Sequence, residues 1–145
     1  MRIHSTVVLG CALLVLSLAG CSSGSSRPDV ELVPVEGVVT LGGEPLAGAS
    51  VMFGGVAMGE TDAEGRYELS QGTKKGVPVG EYQVVIEKWV MPDGSLYRSD
   101  EGISPMDSGA TQEIPPKYSN MEMTELKATV PAGGGKVDFE LKKGK

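Results

Sequence analysis

Val35-Glu36-Gly37-Val38-Val39-Thr40-Leu41-Gly42-Gly43-Glu44-Pro45-Leu46-Ala47-Gly48-Ala49-Ser50-Val51-Met52-Phe53 reads as strand, turn, strand. Val35, Gly37, Val39 and Leu41 recur with a period of two, which puts them on one face of a strand over about Glu31 to Leu41. Gly42-Gly43-Glu44-Pro45 supplies a tight turn, because glycine tolerates positive φ and proline fixes its own φ. Val51 and Phe53 then share one side of a second strand over Ala49 to Phe53. Leu46 sits where it can cap the edge of the core between them.

Working outward, short runs rich in Val, Tyr, Phe and Thr alternate with Gly and Pro, the punctuation of an all-β chain. A third strand is expected at Val56 to Thr61. Thr61-Asp62-Ala63-Glu64-Gly65-Arg66-Tyr67 reads as a hairpin connection with Gly65 at positive φ, Asp62 accepting backbone N–H bonds, and Tyr67 opening a strand through Leu69. Tyr82 to Val90 is the clearest strand. Tyr82, Val84 and Ile86 lie on one face with Val85 and Trp89 on the other, which predicts a central position. Between Met91 and Tyr118 seven Gly and Pro residues interrupt any periodicity, so this is a long connection, functional or disordered, with room for a short hairpin near Ser95 to Tyr97. Alternation resumes at Glu125 to Val130. After a turn at Pro131 to Gly135, Lys136 to Leu141 closes the sheet with Val137, Phe139 and Leu141 inward. Seven short strands, each with one apolar face, make a β-sandwich the economical fold.

Four segments together resemble the carboxypeptidase regulatory-like domain: Val35-x-Gly37-x-Val39-x-Leu41; Gly43-x-Pro45-Leu46-Ala47-Gly48-Ala49-x-Val51-x-Phe53; Thr61-Asp62-x-x-Gly65-x-Tyr67; and Val79-Gly80-Glu81-Tyr82-x-Val84. The resemblance covers about Pro34 to Trp89 and implies a seven-stranded Greek-key β-sandwich of transthyretin (prealbumin) type. In metallocarboxypeptidases this domain stands beside a catalytic domain bearing zinc; no counterpart of that domain is expected here, so the resemblance implies no catalysis.

The N-terminal residues carry a second resemblance. Arg2 precedes an apolar stretch from Val7 to Ala19, too short for a membrane-spanning helix of about 20 residues, and it ends in Leu18-Ala19-Gly20-Cys21. That run resembles the lipobox of bacterial lipoproteins, which implies cleavage between Gly20 and Cys21 and a diacylglycerol on the Cys21 thiol. The expected organisation is a signal peptide over 1–20, a Ser- and Gly-rich flexible tether over 21–30, and one domain over 31–145 whose long loop spans about 91–118. With Pro115-Pro116-Lys117-Tyr118 and the last two strands, the whole is similar to small lipoproteins of this type in planctomycete bacteria. The implied location is the bacterial cell envelope, lipid-anchored and facing the periplasm or the cell surface. Ser22 after the cysteine is compatible with export to an outer membrane.

Composition narrows the chemistry. Of 145 residues, 13 are basic and 19 acidic; removing residues 1–20 takes away Arg2 and no acid, moving the formal net charge from −6 to −7. An acidic surface repels phosphate backbones, so nucleic acid is not an expected partner, and membrane contact is left to the lipid. The only histidine, His4, and one of the two cysteines, Cys11, lie in the signal segment, while lipid consumes Cys21. A mature domain without His or free Cys cannot build a cysteine protease, a Ser-His-Asp triad or the usual zinc site. The chain is therefore read as a non-enzyme that needs no cofactor.

Several side chains merit testing as sites. Glu60, Asp62 and Glu64 alternate as oxygen donors, but they lack the spacing of an EF-hand loop and read first as a solvated acidic turn. Trp89, Tyr97 and Tyr118 have faces on which a glycan could stack. Glu101 and Asp107 form an acid pair with no positioning motif. Met91, Met106, Met121 and Met123 gather around the long loop and read as a flexible apolar lining rather than a copper site. The expected function is a structural or protein-interaction module, with an envelope protein as partner; the alternative is a glycan or small-ligand binder using the loop.

Overall fold

The computed structural model describes residues 30–98 and 102–144. In chain order its elements are β1 (Leu32–Val33), β2 (Val35–Leu41), β3 (Glu44–Pro45), β4 (Ser50–Phe53), β5 (Ala57–Glu60), β6 (Arg66–Glu68), β7 (Ser70–Gln71) and β8 (Lys74–Lys75). They continue with β9 (Val77–Pro78), β10 (Gly80–Glu87), β11 (Trp89–Val90), β12 (Thr111–Gln112), the short helix α1 (Pro116–Ser119), β13 (Lys127–Val130), β14 (Gly135–Lys136) and β15 (Phe139–Leu141). The fold is all-β.

One sheet runs β13-β10-β4-β5-β7-β8, antiparallel throughout. The other is built on β2, which pairs in parallel with β14 and β15 and antiparallel with β3 and β6. Their inner faces share one core: Val51, Phe53, Val84, Ile86, Ala128 and Val130 from the first meet Val35, Val39, Tyr67, Phe139 and Leu141 from the second. Each large aliphatic or aromatic side chain buried there contributes about 1.5–3 kcal/mol. Aromatic rings join the layers, with Phe53 edge-on to Phe139 at 6.1 Å and Tyr67 stacked on Phe139 at 6.3 Å.

The opening segment forms its two strands, but Glu44 and Pro45, read as part of the turn, pair with β2 as β3, and the expected first strand is divided at Pro34 into β1 and β2. Gly42 and Gly43, at φ 63° and 88°, make the two-residue turn between paired Leu41 and Glu44, the conformation whose twist matches flanking strands. Each of the seven expected segments contains a strand, but the described residues form fifteen strands in all and the connections differ in four places. Thr61 to Gly65 is not a hairpin: β5 belongs to the first sheet and β6 to the second. The buried Thr61 hydroxyl accepts Ala49 N–H at 2.8 Å and donates to the Leu46 carbonyl at 2.6 Å, which holds the chain at the sandwich edge while it changes layer. Gly59 makes that closure sterically feasible, since a Cβ there would lie 2.4 Å from the Glu68 carbonyl oxygen.

The clearest expected strand breaks at Lys88 instead of running to Val90. The Gln112 side-chain carbonyl accepts Lys88 N–H at 2.8 Å, and the Lys88 carbonyl accepts Glu113 N–H at 2.9 Å, so the chain leaves the sheet to pair as β11 with β12. The long connection is thus built on a ladder. Within it Val90 bridges Leu96, the short hairpin expected near Ser95 to Tyr97. Gly72 at φ 59° turns a further hairpin, β7 to β8, unforeseen in that polar run.

The last strand is split. Between β14 and β15 the Val137 carbonyl turns over Gly37 and accepts the Tyr67 hydroxyl at 2.6 Å, while Asp138 Oδ1 takes the Val38 N–H at 2.8 Å that a backbone carbonyl would otherwise accept. A Cβ on Gly37 would fall 1.7 Å from the Val137 oxygen. Burial, and to a lesser degree the Asp138 charge, push the Tyr67 hydroxyl pKa well above its ordinary value, keeping it a neutral donor.

Candidate functional site

The ladder registers give the sandwich two distinct ends. β1 pairs with β9 at Leu32 and Pro78, and the Pro34 carbonyl accepts Gly135 N–H at 3.0 Å. Val30, the first described residue, therefore enters beside the starts of β2 and β10. Eight-residue β10 carries the chain about 26 Å from there, at roughly 3.3 Å per residue. The opposite end gathers the Gly42–Gly43 turn, the β10 to β11 junction and the tail after β15.

A cleft of about 510 Å³ opens at that far end. Leu41, Pro45 and Leu46 supply its apolar part, and Glu44, Lys88, Glu113 and Lys143 its charge. Lys88 Nζ meets Glu113 Oε2 at 3.0 Å, and Lys143 Nζ meets Glu44 Oε2 at 3.1 Å. The first pair stands on the doubly hydrogen-bonded β10 to β11 junction, and the Lys88 side chain is only 21% exposed. The second is set by the glycine turn, because the Lys143 stem lies where a Gly42 Cβ would come within 3.0 Å of it.

Beside the cleft, the hairpin after β11 encloses a smaller depression of about 200 Å³ lined by Met91, Leu96, Tyr97 and Ile103. Leu96 packs against Gly48, whose missing side chain leaves room for it. Ile103 and Met106 project outward, 48% and 81% exposed. Asp93 closes the hairpin by accepting Ser95 Oγ–H at 2.6 Å and Ser95 N–H at 2.9 Å, which lowers its pKa.

The aromatic trio is not brought together. Tyr97 N–H donates to the Trp89 carbonyl at 3.0 Å, so those two are neighbours across the hairpin, and the Tyr97 hydroxyl is bound to the Ile103 carbonyl. Tyr118, on α1, is instead 6% exposed in the core, with its hydroxyl accepting Lys142 N–H at 3.4 Å and Lys117 Nζ over its ring at 4.7 Å. Asp62 is occupied as a turn anchor, accepting N–H bonds from Glu64 at 3.0 Å and Arg66 at 2.8 Å. The Arg66 backbone bond above all lowers the Asp62 pKa. Arg66 also pairs with Asp62 and Glu64, each at 3.2 Å. Among the described residues no group of three or more acidic, His or Cys side chains is placed to hold a metal ion.

Asp107 accepts the Ser104 hydroxyl at 2.7 Å; its expected companion Glu101 lies outside the described residues, as do His4, Cys11, Gly20 and Cys21. Met121 and Met123 are also exposed, at 38% and 57%. The four charged residues of the cleft were not foreseen. They are separated in the chain and fall in no motif; the only signal was the Gly42–Gly43 turn that delivers Glu44. No family model, curated protein or solved structure matches the chain.

Proposed function

We infer that the chain is a lipid-anchored, non-catalytic domain of the bacterial cell envelope, a Greek-key sandwich of transthyretin-like type that serves as a structural or protein-interaction module. One observation carries this reading: the segment that leaves the sheet at Lys88 is tied down by its own ladder and presents Ile103 and Met106 to solvent at the end opposite Val30. A lipid on Cys21 would hold the near end at the membrane and direct the far end toward a partner. Exposed methionine and isoleucine beside polar groups suit an adaptable protein contact. Tyr67, Asp62 and Asp93 are each committed to structural hydrogen bonds, which favours a non-catalytic role.

Fractionation and capture test the two halves of this reading. Cys21→Ser is expected to move the protein from the membrane to the soluble fraction; retention in the membrane contradicts the lipid anchor. The double variant Ile103→Ser, Met106→Ser is expected to keep the fold and lose a protein captured by the wild type from native membranes. Equal capture by both contradicts the assigned surface. Glycan binding is the second reading, favoured by the adjacency of Trp89 and Tyr97 on the hairpin; saturable binding of an envelope glycan, abolished by Trp89→Ala, would establish it instead.

A further inference from the structure

We propose that the far-end cleft binds ligands carrying both an ammonium and a carboxylate group, the chemistry of a free amino acid or a short unblocked peptide. This does not rest on the protein-interaction reading, since the cleft and the apolar hairpin use different side chains. Its volume of about 510 Å³ falls within the range of about 300–1,000 Å³ common to small-ligand sites.

The charge arrangement selects the class. The charged residues lining the cleft are two lysines and two glutamates, already joined as Lys88–Glu113 and Lys143–Glu44. A simple anion binding Lys88 through a free N–H lies against the Glu113 carboxylate, and a simple cation binding Glu113 lies against the Lys88 ammonium. Either arrangement sets like charges side by side, which is unfavourable. A dipolar ligand avoids this. Its carboxylate takes the lysine and its ammonium takes the glutamate, so each charge ends paired. Leu41, Pro45 and Leu46 add apolar surface for a small side chain. The overall charge of −6 further disfavours a purely anionic ligand.

The Lys88–Glu113 pair is also mounted rigidly. Backbone and Gln112 side-chain hydrogen bonds fix both residues at the strand junction, so ligand exchange needs side-chain rotation alone. Trp89, the only tryptophan in the chain, is the next residue and reports on the site.

Calorimetric titration of the full-length protein in detergent, with Trp89 fluorescence as a second readout, tests the proposal. Alanyl-alanine is expected to bind saturably, whereas N-acetyl-alanyl-alanine amide, sodium acetate and methylammonium chloride do not. Lys88→Met and Glu113→Gln should each weaken alanyl-alanine by about tenfold or more, equivalent to roughly 1.4 kcal/mol. Absence of saturable heat with alanyl-alanine up to about 20 mM overturns the proposal, that concentration being equivalent to only about −2.3 kcal/mol of binding. Equal binding of the blocked peptide overturns it as well. The blocked-peptide comparison uses the wild-type protein, so it stands even where a variant fails to fold.

Discussion

The clamp beneath Gly37 and the cleft at the far end both depend on contacts between residues remote in sequence, yet they are built from opposite materials. In the clamp, a missing side chain admits a backbone carbonyl, and Tyr67, Val137, Asp138 and Val38 satisfy one another with little freedom left. In the cleft, four flexible charged side chains meet as two ion pairs with solvent on one side. Disrupting the first takes the Tyr67 donor from a part-buried carbonyl or forces a side chain into the space that the Val137 carbonyl fills. Disrupting the Lys143–Glu44 pair of the second hands its charges to water. Stability is therefore concentrated around β2, while the far end can vary its side chains at little cost to the fold.

Substitutions across these regions should rank accordingly. Gly37→Ala is the most severe, because its Cβ would overlap the Val137 oxygen; a loss of about 4 kcal/mol or more, or no soluble folded protein, is expected in urea denaturation. Tyr67→Phe leaves the Val137 carbonyl without its donor and should cost about 1–3 kcal/mol. Lys143→Met should cost less than about 1 kcal/mol, as exposed pairs do. A cleft variant as damaging as Tyr67→Phe would erase the contrast.

Asp62 sharpens the comparison through pH. Its folded-state pKa lies below the ordinary 3.8, chiefly through the Arg66 backbone N–H, so its ionised form adds stability that is fully present above the ordinary value. That contribution is lost as pH falls through the lowered folded-state value. Asn at this position keeps the acceptor and removes the charge. The denaturation midpoint of Asp62→Asn should therefore lie slightly below wild type at pH 6 and approach it toward pH 3. A gap that widens on acidification contradicts the assigned sign.

Much of the frame was legible in the chain because local physics decides it. Period-two alternation located the strands, and Gly42, Gly43 and Gly65 at positive φ fall where the turn readings put them. What escaped depends on pairings between distant segments. The layer change after Thr61 looks like a hairpin until β6 finds β2. The break at Lys88 needs Gln112, 24 residues on. Tyr118 looked available because a four-residue helix among prolines shows no periodicity to mark its buried side. The cleft was least legible of all, since Glu44, Lys88, Glu113 and Lys143 are ordinary surface residue types that meet only where four separate segments of the chain converge.

The interaction surface proposed above lies at the end of the sandwich opposite Val30. Photo-crosslinking in native membranes, with a photoreactive amino acid placed at Met106 in one variant and at Val79 in another, tests it most directly, both positions being exposed. One discrete protein adduct is expected from position 106 and none of that mass from position 79, beside Pro78 and its partner Leu32. The same adduct from both positions, or an adduct from position 79 alone, would contradict it.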